Sequence, residues 1–321
     1  MMFTHYGLIF TSAHIETAHE NKDEAPFHHA WSFLNNHQLQ SDIDQLLINA
    51  WRYRLLDNTN AGDFVINDFR INYAWGSVDQ QAESVIAQSK AFFALSQAYE
   101  LARIHPDLAD LAWLNGYRQK FDALPVPDES DIISGLWYSV ARMAAGVVLE
   151  DQALIEASAE HFRQTISTEI HPEGNFRTAV KVDPESQSLT NQVFGTQALV
   201  LMAEMAEHIG LDLWGYQDRG VSALTPATYT TFYFFYPDQW RWNGSEFRPS
   251  EGVSHEFGAS LFKNNAGFLE IISRRYDKPF KAGSMALDTL RPVYDVYGGG
   301  LTTLTHAIPS KPNRNRRRWL F

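Results

Sequence analysis

The sequence predicts an all-α protein of stacked helical hairpins, with a little β structure near the C-terminal third. Three observations carry that prediction. Apolar residues recur at helical spacing along nearly the whole chain. "SVARMAAGVVL" is apolar on every side except Arg142, while the following "DQALIEASAEHFRQTI" is apolar on one face only. A helix buried all round followed by a half-solvated one is what inner and outer helical layers require. No Pro/Ser-rich linker interrupts the pattern, so residues 1–310 read as one domain, followed by a basic tail at 311–321.

The elements follow in order. "SDIDQLLINAWRYRLL" puts Ile43, Leu46, Leu47, Ala50 and Trp51 on one stripe behind Ser41, an N-cap residue type. "AESVIAQSKAFFALSQAYELARI" aligns Val85, Ile86, Phe92, Phe93 and Leu101, with Pro106 beyond its end, and "DLADLAWLNGYRQKF" is a third helix. The pair described above predicts an inner helix over about 136–149 and an outer one over about 152–168, with Glu156 and Arg163 in water. In "LTNQVFGTQALVLMAEMAEHIGLDLWGY", Val193, Phe194, Ala198, Leu201, Met202 and Met205 are apolar beside a narrow stripe of Glu204, Glu207 and His208, and Gly210 ends the helix. "NNAGFLEIISRRY" and "SMALDTLRPVYDVY" predict later helices; "ATYTTFYFFYPDQWRW" and "GGGLTTLTHAI" read as strands.

Composition narrows the function. Of 321 residues, 45% are hydrophobic and 13% aromatic, enough for a sizeable core. Zero cysteines exclude disulfides, thiolate metal sites and a cysteine nucleophile. A net charge of −12 argues against nucleic acid as the main partner. Five cations (Lys311, Arg314, Arg316, Arg317 and Arg318) crowd the tail; without them the rest of the chain stands at −17. The tail reads as docking on its own acidic body, with an anion-binding arm as the alternative. No apolar run is long enough for a membrane span, and the opening residues lack the basic and apolar regions of a secretory signal. The expectation is a cytoplasmic protein, with the periplasm left open. The oligomeric state leaves no trace in the sequence.

No phosphate-binding loop, dinucleotide fingerprint or HExxH motif occurs. Six of 12 histidines precede residue 38, but their spacing matches no standard metal set, so neither metal nor cofactor is expected. Three polar aromatic segments stand out. "NDFRINYAWGS" holds Asp68, Arg70, Asn72, Tyr73 and Trp75; "YPDQWRW" holds Tyr236, Trp240, Arg241 and Trp242; "EGVSHEFG" holds Glu251, His255 and Glu256. Aromatic faces take the CH faces of sugar rings, while Arg, Asn and His take hydroxyls and carboxylates. Each segment alone reads better as an ordinary loop whose aromatics plug the core; the three together leave that reading and a sugar-derived ligand both open.

Several longer stretches resemble the alginate lyase superfamily of α/α-toroid polysaccharide lyases. They are "FTHYGLIFTSAHIE", "FHHAWSFL" and "NAWRYRLLDN" at the start, "GLWYSVARMAAGVVLEDQALIEASAEHFRQTISTEIHPEGNFRTA" in the centre, and "TQALVLMAEMAEHIGLDLWGY" and "LRPVYDVYGGGLTTLTHA" later. The resemblance implies that the hairpins form an (α/α) toroid, or incomplete barrel, and that the activity is β-elimination on a uronate polymer. It also places the family's Asn-Asn-His, which precedes the tryptophan matching Trp137, on Ile132, Ile133 and Ser134. The family's Tyr-His falls on Asn191 and Gln192, and its preceding arginine near Gln187. None of those identities is retained, and the literal "NNH" at 35–37 lies far from the aligned position.

Elimination needs the uronate carboxylate neutralised, a base for the C5 proton and an acid for the departing O4. Ile132, Ile133 and Asn191 cannot transfer protons, so the expected catalytic set is Tyr73, His255 and Tyr138. The expected substrate-binding set is Arg70, Asn72, Trp75, Arg177, Asn191, Gln192, Trp240, Trp242 and Glu256. The expected ligand is an acidic oligosaccharide or a sugar-derived substrate. Two further readings stay open: a non-catalytic protein that binds acidic oligosaccharides on a lyase fold, and a biosynthetic elimination enzyme for a small metabolite.

Overall fold

Fourteen α-helices are found in a computed structural model that describes residues 3, 5–38, 40–71, 84–108, 112–243, 246–247, 252–276 and 281–309. They are α1 (Ser12–Glu20), α2 (Phe27–Asn36), α3 (Asp42–Leu56), α4 (Thr59–Ile71), α5 (Val85–Ala102), α6 (Ala112–Asp122) and α7 (Ile132–Val148). The second half adds α8 (Gln152–Thr168), α9 (Glu185–His208), α10 (Leu224–Phe235), α11 (His255–Asn264), α12 (Gly267–Arg275), α13 (Lys281–Leu290) and α14 (Thr302–His306). Among the described residues the only paired strands are β1 (Trp242–Asn243) and β2 (Glu246–Phe247), antiparallel and two residues each.

Helix packing closes a ring. α3 packs on α5, α5 on α7, α7 on α9, α9 on α12 and α12 on α14; α14 meets α1 and α2, and α2 returns to α3. α4, α6 and α8 lie outside it, on α3, α7 and α7 respectively. Lys90 in the second turn of α5 touches Trp137 in the second turn of α7, and just past the other end of α5 Arg103 donates to the carbonyl of Val148, the last residue of α7, so these two helices run in one direction. Lys90 also touches Phe194 of α9.

Local chemistry explains the hairpins. α7 is buried along almost its whole length, and α8 buries only Ile155, Ser158, Ala159, Phe162, Thr165 and Ile166, leaving Glu156 exposed. Arg163 is half-buried beside Glu160. The Asp131 and Asp151 carboxylates cap α7 and α8 by accepting backbone N–H groups of their first turns. A methyl group on Gly146 would strike Ile155 and the Asp151 carbonyl, so only glycine lets α8 start this close to α7. Ser41 accepts the Asp44 N–H, as its position before α3 predicts.

Three predicted elements differ. The strand-like "ATYTTFYFF" is helix α10, because Ala227, Thr230, Thr231 and Tyr233 fall on one buried face against α9 and its neighbours. Its threonine hydroxyls turn back onto carbonyls four residues earlier, so the β-branched run is accommodated in a helix. The other strand-like stretch contains α14. The helix predicted through "LRPVYDVY" stops at Leu290, where Pro292 cannot continue it. The chain makes a tight turn instead: the Gly300 N–H donates to the Asp295 carbonyl (2.7 Å) and the Asp295 N–H to the Gly300 carbonyl (3.0 Å).

That turn reaches into the ring. Gln97 of α5 donates to the Gly299 carbonyl (3.0 Å), Gln197 of α9 to Asp295 Oδ2 (2.6 Å), and the Gly267 N–H at the start of α12 to the same oxygen (3.2 Å). Among the described residues, no helix is long and apolar enough to cross a membrane.

Candidate functional site at the axis of the toroid

The inner helices begin at one end of the ring, and the positions expected to carry chemistry lie in their first turns. The structure shows scaffold there. Ile133 is buried at 3% exposure, and a methyl on Gly195 of α9 would press on its side chain and on Phe176. The Ser134 hydroxyl donates to its own cap, Asp131 (2.6 Å). Asn191 donates to the Ala179 carbonyl (2.8 Å) and accepts from Gln187 (2.8 Å). Gln192 is fully buried; it accepts the Phe176 N–H (3.1 Å) and donates to the Gly174 carbonyl and the Thr230 hydroxyl (3.1 Å each). Both amides expected to bind substrate hold the 174–180 loop instead, and Gln192, fully buried, has both of its amide hydrogens engaged.

The other expected residues separate into four groups. Trp240 is 1% exposed; its indole N–H donates to Ser188 (3.1 Å) and its ring packs on Tyr229 and Tyr233. Trp242 donates to the Tyr229 hydroxyl (3.2 Å). These aromatics wedge α10 against the start of α9, which corrects the expectation that Trp240 binds a sugar face. Tyr138 points away from the axis, stacked on Phe121 of α6, with Arg142 over its ring. His255 opens α11 with its side chain 69% exposed, 3.5 Å from Asp238, and Glu256 beside it is exposed. Arg70 is in the last turn of α4, not in a loop before a helix, and pairs at the surface with Asp107 (2.6 Å). Arg177 is exposed, and its backbone N–H donates to the Glu169 carbonyl. Asn72, Tyr73, Trp75, Glu251 and the tail at 311–321 lie outside the described residues.

The residue that sequence reasoning missed is Lys90. It is 7% exposed on the inward face of α5, with its ammonium 3.2 Å from the Phe194 ring centre and 4.5 Å from that of Trp137. Burial pulls its pKa down to about 8, opposed by the negative charge of Asp295. Asp295 is itself wholly enclosed; burial pushes its carboxyl up to about 6, with Lys90 and the N–H donors of Gly267, Gln197 and Gly298 acting against that rise. At neutral pH the pair is therefore mainly ammonium and carboxylate. Among the described residues no carboxylate comes within salt-bridge distance of Lys90. Around the pair, Trp137 Nε1, Gln197 Oε1 and Asp295 Oδ1 are buried polar atoms with no protein partner. Native interiors satisfy most such atoms, so these are groups at which bound water or a polar ligand finds hydrogen-bond partners beside a desolvated cation.

The comparisons with known proteins bear on this geometry. The family model described as alginate lyase matches residues 134–242. A histidine-to-alanine variant of alginate lyase A1-III complexed with tetrasaccharide superposes with a TM-score of 0.67 at 16% identity, over 84% of this chain and 75% of that one. The chain has the alginate lyase toroid fold. Alginate lyase A1-III from Sphingomonas species A1 gives 0.64 at 17% identity, over 83% of this chain and 75% of that one. An alginate lyase from Bacteroides ovatus gives 0.63 at 11% identity, over 94% and 99%. No curated protein sequence matches. The resemblance read from the sequence is thus an alginate-lyase-like one in structure as well. The matched segment of the alginate lyase family model holds Trp137, Phe194 and Gln197; Lys90 and Asp295 fall outside it.

Proposed function

We propose that the protein is a carbon–oxygen lyase that cleaves a uronate-containing oligo- or polysaccharide by β-elimination, with Lys90 as the cation that neutralises the uronate carboxylate. The alginate lyase family match and the shared toroid support a polysaccharide-lyase type of function. The observation that carries the finer reading is the Lys90 ammonium, desolvated between Trp137 and Phe194 at the ring axis.

The chemistry needs such a group. Removing the C5 proton leaves negative charge that spreads into the carboxylate, and a desolvated cation stabilises it far more than a hydrated one does. The C5–H pair then forms the C4–C5 double bond, the C4–O4 bond breaks, and O4 takes up a proton. Of the rings beside the ammonium, Trp137 is wholly buried and Phe194, half-buried, offers an apolar face to the sugar ring. Tyr73, in the connection between α4 and the helix that carries Lys90, is the hydroxyl we assign to proton transfer, as the sequence suggests. His255 and Tyr138 have no such position in the structure: one is at the surface beside Asp238, the other stacked against α6.

One observation favours a second reading. Ile132, Ile133, Ser134, Asn191 and Gln192 put no proton-transfer group at the aligned positions, which is what a non-catalytic acidic-oligosaccharide-binding protein would show. A panel of uronic polymers, followed by the absorbance of unsaturated uronate product, separates the two. Product formation that drops by roughly 10²-fold or more in Tyr73→Phe supports the lyase, as expected for a lost proton-transfer group. Binding without product across the panel puts the binding protein in its place.

A further inference from the structure

A cleft of about 590 Å³ opens beside α2 and is lined by His29, Ser32, Phe33, Asn36, His37, Arg291 and Pro292. None of its lining residues is acidic. Its back wall is a buried network. The Asp44 carboxylate, 3% exposed, accepts the Tyr294 hydroxyl (2.6 Å) and the Gln40 N–H (2.8 Å), and it lies 3.0–3.1 Å from His37 Nε2. A carboxylate engaged by these donors is an acceptor only, so the proton of neutral His37 sits on Nε2 and the lone pair on Nδ1. His37 is thereby held in one tautomer and one orientation in the cleft wall. Its ring and that of Tyr294 pack on Phe33, with centres 4.6 Å and 5.1 Å away. The Asn36 amide nitrogen donates to the Ser32 carbonyl (2.9 Å). The Arg291 guanidinium is fixed by two bonds to Glu270 (2.8 and 2.9 Å).

The cleft therefore combines imidazoles, an amide oxygen, a hydroxyl, a guanidinium edge and an apolar ring, which suits a ligand with both hydroxyls and negative charge. Its position adds to this. Asp44 is in the first turn of α3, and Lys90 is in the second turn of α5, the helix on which α3 packs. Tyr294, which bonds Asp44, is followed at once by Asp295, which faces Lys90.

We propose that this cleft is a distal subsite for an acidic saccharide, holding one sugar of a chain whose reacting sugar lies at Lys90. The proposal rests on the lyase reading for its substrate class. It assigns a positioning role to His29 and Asn36, both exposed and outside the Lys90 site.

The test uses the full chain with oligomannuronates and oligoguluronates of two to six sugars, and neutral cello-oligosaccharides of equal length as controls. Affinity is read by calorimetry and the imidazole resonances of His29 and His37 by NMR. Affinity should rise with length for the acidic series, and a His29→Ala/Asn36→Ala variant should lose roughly tenfold on the longest chains while the disaccharide is unaffected. The imidazole resonances should shift only with the acidic chains. Equal affinity of wild type and variant at every length, or equal binding of the neutral series, overturns the subsite. Elimination that depends on Lys90 with no effect of the cleft variant leaves the lyase reading standing alone. Cleft binding with no elimination product keeps the subsite and removes the lyase.

Discussion

The two ends of the inner ring treat buried charge in opposite ways. Near the C-terminal end of α9, Glu204 is buried and fully engaged. Its Oε2 accepts the Trp214 indole N–H (3.0 Å) and the Arg275 guanidinium (2.9 and 3.1 Å), and its Oε1 faces His208 (3.3 Å) and His306 (3.4 Å). Burial pushes the Glu204 carboxyl up, but the histidine bonds and the charges of His306 and Arg275 outweigh it and hold the group well below the usual range. Toward the other end, Lys90 has aromatic rings at its ammonium and only Asp295 acting on it from a distance. One buried charge is knit into the fold; the other is held out of water with its hydrogen-bonding capacity open. A saturated network of this kind is scaffold, whereas an open one costs stability that only a use in function explains.

Removing each charge should therefore have opposite consequences. Glu204→Ala leaves Arg275 and its two histidine neighbours, His208 and His306, without their acceptor, and chemical denaturation should show a loss of about 3–5 kcal/mol. Lys90→Met removes a desolvated cation, so its stability should be unchanged or higher by up to about 3 kcal/mol, the value of the displacement of its pKa from 10.5 to about 8. A large loss in Lys90→Met would make Lys90 a structural ion and erase the contrast.

Next in size are the substitutions at the former catalytic positions. Gln192→Leu leaves the Phe176 N–H and the Gly174 carbonyl unpaired in the interior and should cost about 2–4 kcal/mol. Ile133→Ala should cost a similar amount by opening a cavity against Gly195 and Phe176. Thermal melts that barely move in both would show that these positions still face open solvent.

The pH dependence of stability sharpens the same comparison. At the Glu204 end, burial and neighbouring positive charges hold the His14 pKa down at about 2, and burial also lowers that of His306. The unfolded chain then binds protons first, so the stability these groups give is complete above about 6.5 and drains away as pH falls below it. At the axis the raised Asp295 makes stability fall as pH rises from about 4 to 6, and the lowered Lys90 makes it rise from about 8 to 10.5. Denaturation midpoints measured across pH should lose the acid limb in His14→Gln and the alkaline limb in Lys90→Met.

The smallest effects belong to surface residues. Arg70→Ala and His255→Ala break exposed pairs with Asp107 and Asp238, and each should shift stability by no more than about 0.5 kcal/mol. A loss of turnover in His255→Ala would restore it to the catalytic set.

What the sequence disclosed and what it hid follow from range. The inner/outer alternation of α7 and α8 was legible because it is a local pattern of apolar faces, as was the Ser41 cap. The α10 helix was hidden because its threonines and aromatics favour strand locally, while the packing that makes it helical comes from α9 and α12. Lys90 was hidden for a related reason. In "VIAQSKAFFAL" it reads as one polar residue on an amphipathic helix, and only ring closure shows that its face points to the axis. The amides Asn191 and Gln192 were located correctly on α9, but their partners come from the 174–180 loop and α10, which spacing alone does not connect. "NNH" at 35–37 was set aside for its distance from the aligned motif; the structure nonetheless puts Asn36 and His37 in the wall of a cleft.

Turnover in Lys90→Met and Lys90→Arg, read as unsaturated uronate absorbance on the best uronic polymer, tests the central claim most directly. If Lys90 neutralises the carboxylate, Lys90→Met should lose roughly 10²–10³-fold in turnover, the range seen when one charge-stabilising group is removed from an active site. Lys90→Arg, which keeps the charge, should recover part of it. Full turnover in the Lys90→Met protein, folded and stable, would contradict the account.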